Sequence, residues 1–373
     1  MEPIKKVFLV LGLSVLLGIF ILGCLATLED RRFVYIAPTI KRNTAINTQV
    51  TLSTVKNGSR DTIILWYNIP SYLRSYVKYS KTKKCENVRS NCVLSMDNSD
   101  LHKSSVVIFT HSSLPGFPPT KSKSQIWMFN SLENKAYTQR PSPAWKNKFD
   151  WIMSYRRDAD VSRPYGKIIR PDKSIERNYS EVFRQKTKFG VWMSGHCPVP
   201  SRRKEYIEKL QKYIDIDTFG ACGKKKCGTR TVFKNDCLKN LAREYKFYFS
   251  FENNICRDYS TEKVFSIYKY DFNLSIIPVI NGPPQASEYL PKGTFLSTLD
   301  YTSPESLAKK LKEIGSSESL YTQYLKEKDK YSSPDEPEIF RQAICNACQK
   351  LDQMGGETVS PKPDVMDIYK TEC

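Results

Sequence analysis

YKFYFSFENNICRDYSTEKVF, residues 245–265, begins as an apolar, aromatic run, turns polar at Phe251-Glu252-Asn253-Asn254, and restarts at Thr261-Glu262-Lys263. Its first part reads as a buried strand. Thr261 reads as the cap of a helix running through Phe272, with Glu262 and Lys263 in the first turn. In a doubly wound sheet, ligands sit beyond the carboxyl ends of the strands, and a helix start there offers free N–H groups to a phosphate. Lys263 then has an ammonium for a diphosphate, and Glu262 a carboxylate for sugar or ribose hydroxyls. Ordinary helix-start composition accounts for Thr-Glu-Lys as well, because an acid there suits the helix dipole.

Outward from this stretch, strands and helices alternate. FGVWMSG (189–195), DIDTFG (215–220) and SIIPVI (275–280) read as further strands. Ser201 reads as the cap of a helix carrying Tyr206, Ile207, Leu210, Tyr213 and Ile214, and Ser303-Pro304-Glu305 starts another with Leu307, Leu311 and Ile314 on one face. Upstream, DTIILWYN (61–68), SVVIFT (105–110), QIWMFNSLE (125–133) and FDWIMSYRRD (149–158) form an earlier strand series. The pattern predicts an α/β protein of two Rossmann-like, doubly wound domains with a cleft between them. The expected boundaries are 61–188 and 189–336, with a carboxyl-terminal helix and tail, 337–373, packing back on the first domain.

Residues 7–28 hold no charge over 22 positions, enough to cross a bilayer as a helix; a cleaved signal peptide is the competing expectation, with a small-residue site at Gly23-Cys24-Leu25-Ala26. The anchor reading leaves a tail at 1–6 and a polar stem at 29–60. Basic residues flanking the apolar run favour the opposite topology, whereas sequons at Asn57, Asn178 and Asn273 and ten of the eleven cysteines lie downstream and favour a lumenal catalytic region. The formal charge of +19 is spread among acidic residues, so it suits anionic sugar nucleotides, acidic glycans or a membrane surface better than nucleic acid.

The 245–265 stretch resembles the signature of the alpha-1,3-fucosyltransferases. Similarity continues in SRRKEYIEKLQKYIDIDTFGACG, IIPVINGP, QIWMFNSLE and WIMSYRRDADVSRPYGKI, in order, over roughly residues 61–350. The resemblance implies a GT-B-like fold and inverting transfer of fucose from GDP-fucose to an N-acetylglucosamine hydroxyl, in alpha-1,3 linkage, on an N-glycan core or a lactosamine-type antenna. Inversion needs a carboxylate to deprotonate the attacking hydroxyl, and the match assigns that base to Glu133. It places Arg203 and Lys263 on the diphosphate, in preference to Arg202, and Asn253, Tyr259 and Glu262 around the nucleotide and fucose. His111 falls where the family shows an acceptor-side histidine, and a structural role is an equal expectation. Family members have Arg-Asp where this chain has Ser112-Ser113, Ser-Pro where it has Asn134-Lys135, and a Gly-rich turn where it has NGPPQASEYLPKG (281–293).

Those departures keep a second expectation alongside the enzyme: a family member that has lost transfer and binds a glycan or nucleotide. Asp158-Ala159-Asp160 looks like a metal-binding string, but the family does not rely on such a site. No bound catalytic ion is predicted, and a divalent metal is left at most a stimulatory part. Cys345-x-x-Cys348 suggests zinc or redox chemistry from spacing alone. The resemblance instead joins this pair to Cys85 and Cys92, and groups Cys222, Cys227, Cys237 and Cys256 around the donor domain without fixing their connectivity. The full expectation is a single-pass type II Golgi membrane protein.

Overall fold

The computed structural model describes residues 61–80, 84–89, 91–227, 237–370 and 373. The 7–28 anchor, the 29–60 stem and the Asn57 sequon lie outside them. Among the described residues no helix is long and apolar enough to cross a membrane.

Two all-parallel sheets carry the fold. In the first, β1 (Thr62–Trp66), β2 (Cys92–Ser95), β3 (Val106–Thr110), β4 (Ile126–Ser131), β5 (Trp151–Ser154) and β6 (Val161–Ser162) lie in the order β2-β1-β3-β4-β5-β6. In the second, β7 (Lys188–Met193), β8 (Ile216–Phe219), β9 (Tyr245–Phe251), β10 (Ile277–Asn281) and β11 (Leu296–Ser297) lie in the order β11-β10-β9-β7-β8. Both orders place a switch point beside the first strand of the series, between β1 and β3 and between β7 and β9, where doubly wound sheets open a ligand crevice.

The near-continuous apolar runs follow from burial on both faces. Val106 and Ile108 of β3 enter the same core as Ile64, Trp66 and Met128, while Val107 and Phe109 enter the opposite one with Leu65, Trp127 and Phe129. β9 divides likewise, with Phe247, Phe249 and Phe251 on one face and Tyr248 on the other. The helix Glu336–Met354 returns to the first sheet, burying Phe340, Ala343, Ile344 and Ala347 in its core. Cys85–Cys345 and Cys92–Cys348 clamp it there, as the resemblance implied.

Several expectations need correction. Ser201 does not cap a helix: Arg202, with φ 50°, precedes the helix Arg203–Leu210, and Tyr213 and Ile214 fall in the turn after it. Ser201 is drawn away because its N–H and hydroxyl donate to the carbonyls of Asn253 and Glu252. The helix from Thr261 is a short α segment, Glu262–Phe265, followed by two 3-10 turns. It breaks at Lys269, whose backbone bridges to Ser333 and whose buried ammonium pairs with Glu336. In the second cysteine group only Cys227–Cys237 forms within the group, and Cys222 and Cys256 pair with Cys197 and Cys373. Strands β2, β6 and β11 span two to four residues, too few to show a period.

Phe247 is fully buried against Phe189 and Tyr321. Phe247→Ala should cost about 3–5 kcal/mol through the cavity it leaves, whereas Tyr270→Ala, at a half-exposed ring, should stay within about 0.5 kcal/mol. Urea unfolding midpoints at unchanged slope would measure both.

Candidate active site

The chemistry gathers at the carboxyl ends of β9 and β4. Immediately after β9 comes Glu252, 2% exposed. Its carboxylate accepts the Thr261 N–H at 2.8 Å and the Thr261 hydroxyl at 2.9 Å, and lies 3.3 Å from the Lys263 ammonium. Thr261 caps the short helix as expected. The Lys263 ammonium also donates to Thr261 Oγ1 at 2.9 Å and to Glu262 Oε1 at 3.1 Å. Two carboxylates therefore flank one ammonium. Burial pushes the Glu252 pKa up despite Lys263. For Glu262 burial is the largest influence and acts in the same direction, but the Lys263 ammonium, the backbone and the Thr261 hydroxyl together hold the carboxyl below its usual range. Burial would lower the Lys263 pKa, and the two carboxylates overcome that and raise it.

Arg203 opens its helix and is 3% exposed, with its guanidinium donating to the carbonyls of Phe251 and His196, both at 2.9 Å. Its Nε has no partner among the described residues. Burial lowers its pKa, opposed by Glu252. Arg202 points to solvent near Glu205, which separates the two arginines as the resemblance did.

From the first sheet, Glu133 stands two residues beyond β4, its backbone N–H bonded to Ser131 Oγ and its carbonyl to the Thr138 hydroxyl. The Tyr259 hydroxyl donates to Glu133 Oε2 at 3.2 Å across 126 residues of sequence. Glu133 is half-buried, and burial raises its pKa; Tyr259, Lys263 and His196 counter this while Glu262 adds to it. The result is a carboxylate with more proton affinity than an ordinary glutamate, at a point where both halves of the molecule meet.

Asn134 is fully buried and donates to Asn253 Oδ1 at 2.8 Å while accepting from Asn254 Nδ2 at 3.3 Å. The residue that departs from the family's Ser-Pro thus joins the two halves, and Asn253 is engaged there. Arg157 adds a second clasp, its Nε 2.9 Å from Asp258 Oδ1. Gly166 lets the connecting chain pass Phe265, since a Cβ there would stand 2.2 Å from the Phe265 ring.

His111 Nδ1 accepts the Gln139 N–H at 2.9 Å, which ties the ring to the loop after Glu133, and burial lowers its pKa. Ser113 receives the Asn68 amide on its carbonyl and hydroxyl. Asp158 binds Arg156, and Asp160 accepts from the Ile152 N–H and pairs with Lys362, so both acids of the 158–160 string are structurally occupied. Among the described residues no group of three or more His, Cys, Asp or Glu side chains is placed to hold a metal. Asn178 and Asn273 are both exposed. Glu252, Asn134 and His196 had no predicted role. Glu252 lay inside the quoted Phe-Glu-Asn, and only its burial beside Lys263 marks it.

Two doubly wound halves that bring a general-base candidate to a site holding a buried guanidinium and an ammonium flanked by two carboxylates have the architecture of a group-transfer enzyme. Residues 58–166 match the family description "Fucosyltransferase, N-terminal", and residues 183–365 match "Glycosyltransferase family 10 (fucosyltransferase) C-term". The glycoprotein 3-alpha-L-fucosyltransferase A of Drosophila melanogaster is 32% identical over 212 residues, 56% of this chain and 41% of that protein. The 4-galactosyl-N-acetylglucosaminide 3-alpha-L-fucosyltransferase 9 of Pan troglodytes is 31% identical over 273 residues, 70% of each chain. A solved alpha1,3-fucosyltransferase with GDP shares 16% identity over 76% of this chain and 85% of that one, with a TM-score of 0.48, too distant a likeness for residue assignments. The chain belongs to glycosyltransferase family 10, the fucosyltransferases.

Asn134→Ala would remove a hydrogen-bond partner from both the Asn253 and the Asn254 side chains. The expected loss is about 1–3 kcal/mol of stability, read from denaturant midpoints.

Proposed function

We propose that this chain transfers fucose from GDP-fucose, with inversion, to a hydroxyl of an N-acetylglucosamine residue in alpha-1,3 linkage, on an N-glycan core or a lactosamine-type antenna, in a GT-B arrangement of its two halves. The observation that carries this is Glu133, a half-buried carboxylate of the first half held at 3.2 Å by the Tyr259 hydroxyl of the second, where burial raises its pKa. Glu133 takes the proton of the acceptor hydroxyl as its oxygen attacks the anomeric carbon; the bond to phosphate breaks and GDP leaves with the electron pair. Arg203 and Lys263 offset the charge that develops on the diphosphate. Tyr259 serves as a positioning residue, because its hydroxyl bonds the base. Asn253 acts through the clasp with Asn134, and His111 holds the acceptor-side loop.

We further read the chain as a single-pass type II Golgi membrane protein with a lumenal catalytic region. The support is the apolar run at 7–28, exposed sequons at Asn178 and Asn273, and five disulfides among the described residues that suit an oxidising compartment. A binding protein without transfer is the second reading. It is favoured by Lys263, whose charge two carboxylates already offset, and by Arg203, which is bonded to backbone carbonyls.

Purified full-length chain with GDP-fucose and a glycan panel separates the two: GDP release with a fucosylated product supports transfer, and its absence on every acceptor sinks it. Glu133→Gln should lower kcat by roughly 100-fold or more with the fold retained by circular dichroism.

Tyr259→Phe tests the positioning role. The phenol stabilises the ionised carboxylate, so its loss raises the Glu133 pKa further. The base works only when deprotonated, so the acid limb of the kcat/KM profile should move to higher pH while GDP affinity holds; an unmoved limb would refute the role.

A further inference from the structure

Cys373 is exposed, and its sulfur is bonded to Cys256, which is fully buried. Cys256 opens the turn that carries Tyr259. The Tyr259 N–H donates to the Cys256 carbonyl at 3.1 Å, and Asp258 between them sits at φ 62°, a conformation that a non-glycine residue keeps only where its surroundings hold it. The bond joins positions 117 residues apart and ties this turn to a tail that runs along the first half. There the Lys362 N–H donates to the Phe149 carbonyl at 2.7 Å, Asp364 pairs with Arg140, and Val365 enters the core of Phe109 and Trp127.

The Tyr259 ring has a seat built from the first half and the tail. Tyr155 meets it edge-on at 4.8 Å and Tyr165 at 6.2 Å. Met366 and Tyr369, from the turn Val365–Tyr369, complete the same buried cluster together with Cys256. This tail wall is poorly held by its own contacts. The hydroxyls of Tyr155 and Tyr369 are buried and have no hydrogen-bond partner among the described residues, and a buried hydroxyl without a partner favours any state that returns it to water. The disulfide just beyond the turn opposes that release. The Arg157–Asp258 clasp holds the middle of the 256–259 turn, and the disulfide holds its start.

We propose that the Cys256–Cys373 bond is a strap that seats the Tyr259 ring, which makes Cys373 a positioning residue for the base. Through Tyr259 the strap keeps a phenol 3.2 Å from Glu133 Oε2 and so favours the ionised carboxylate. Arg203 and Lys263 are held separately, by the Phe251 and His196 carbonyls and by Glu252. The strap rests on the fucosyl-transfer reading in taking Glu133 as the base.

The test compares full-length wild type, Cys373→Ser, Tyr259→Phe and the double variant carrying both changes. Losing the seat weakens the phenol contact and raises the Glu133 pKa, so Cys373→Ser should move the acid limb of the kcat/KM profile to higher pH, by up to about one pH unit. The double variant should move it no further than Tyr259→Phe does, since both changes act through one hydrogen bond. GDP affinity by calorimetry should change by less than about twofold. Hydrogen exchange read by mass spectrometry supplies an arm independent of transfer: peptides spanning 253–260 should exchange about tenfold faster in Cys373→Ser, while those of β9 stay as in wild type. Should Cys373→Ser misfold by circular dichroism, Cys256→Ala/Cys373→Ala, which leaves no thiol there to mispair, carries the same comparison. An unmoved acid limb, additive shifts in the double variant, a loss of GDP affinity or unchanged exchange at 253–260 would overturn the strap. An unmoved limb with transfer intact removes the strap alone, whereas a wild type that binds GDP and transfers nothing removes the fucosyl-transfer reading, and the exchange arm then decides the strap by itself.

Discussion

A buried carboxylate at the end of the central strand of the second sheet, Glu252, governs the site. Placing an ionised carboxylate in the interior is costly unless it is both paired and hydrogen-bonded. Thr261 and Lys263 meet both needs at 2.8 to 3.3 Å, so the 252–261 loop must fold back and the short helix must start where it does. The same strand end is tied to the preceding loop by Ser201 on the Glu252 carbonyl and Arg203 on the Phe251 carbonyl. One electrostatic requirement thus sets the position of Lys263, Glu262 and Arg203 together.

The other half of the site is held by contacts across the two sheets. Asn134 with Asn253 and Asn254, Arg157 with Asp258, and Tyr259 with Glu133 each join residues about 100 or more apart in sequence. The tail adds a covalent link, since the 365–369 turn is buried against the first half and Cys373 bonds Cys256. The acidity of Glu133 is consequently a property of both halves: its burial raises the pKa, and Lys263, Tyr259 and His196 moderate it. A base tuned in this way does not exist in either half alone.

The charges of the site also constrain what it can accept. Lys263 stands between two carboxylates and Arg203 between two carbonyls, so a diphosphate must compete with existing partners instead of meeting free cations. The net positive charge of the chain favours approach of an anionic donor.

The sequence alone determined the α/β alternation, the strands long enough to show a run, and the Thr261 and Ser303 caps, because burial on both sheet faces and helix-cap chemistry leave local patterns; Glu133 and Arg203 were singled out only by family resemblance, and Lys263 by that resemblance beside its place in the capped turn. The cysteine clamp at 345 and 348 was legible through family resemblance, whereas the Cys197 and Cys373 pairings were not, since connectivity depends on which loops meet. Ser201 was misread because a serine before a helical pattern looks like a cap whether or not a distant carbonyl claims its hydroxyl. Glu252, Asn134 and His196 acquired meaning only in three dimensions. Burial, partnership and the lack of a partner are properties of what packs against a side chain, and the residues that pack here come from segments that no local pattern connects.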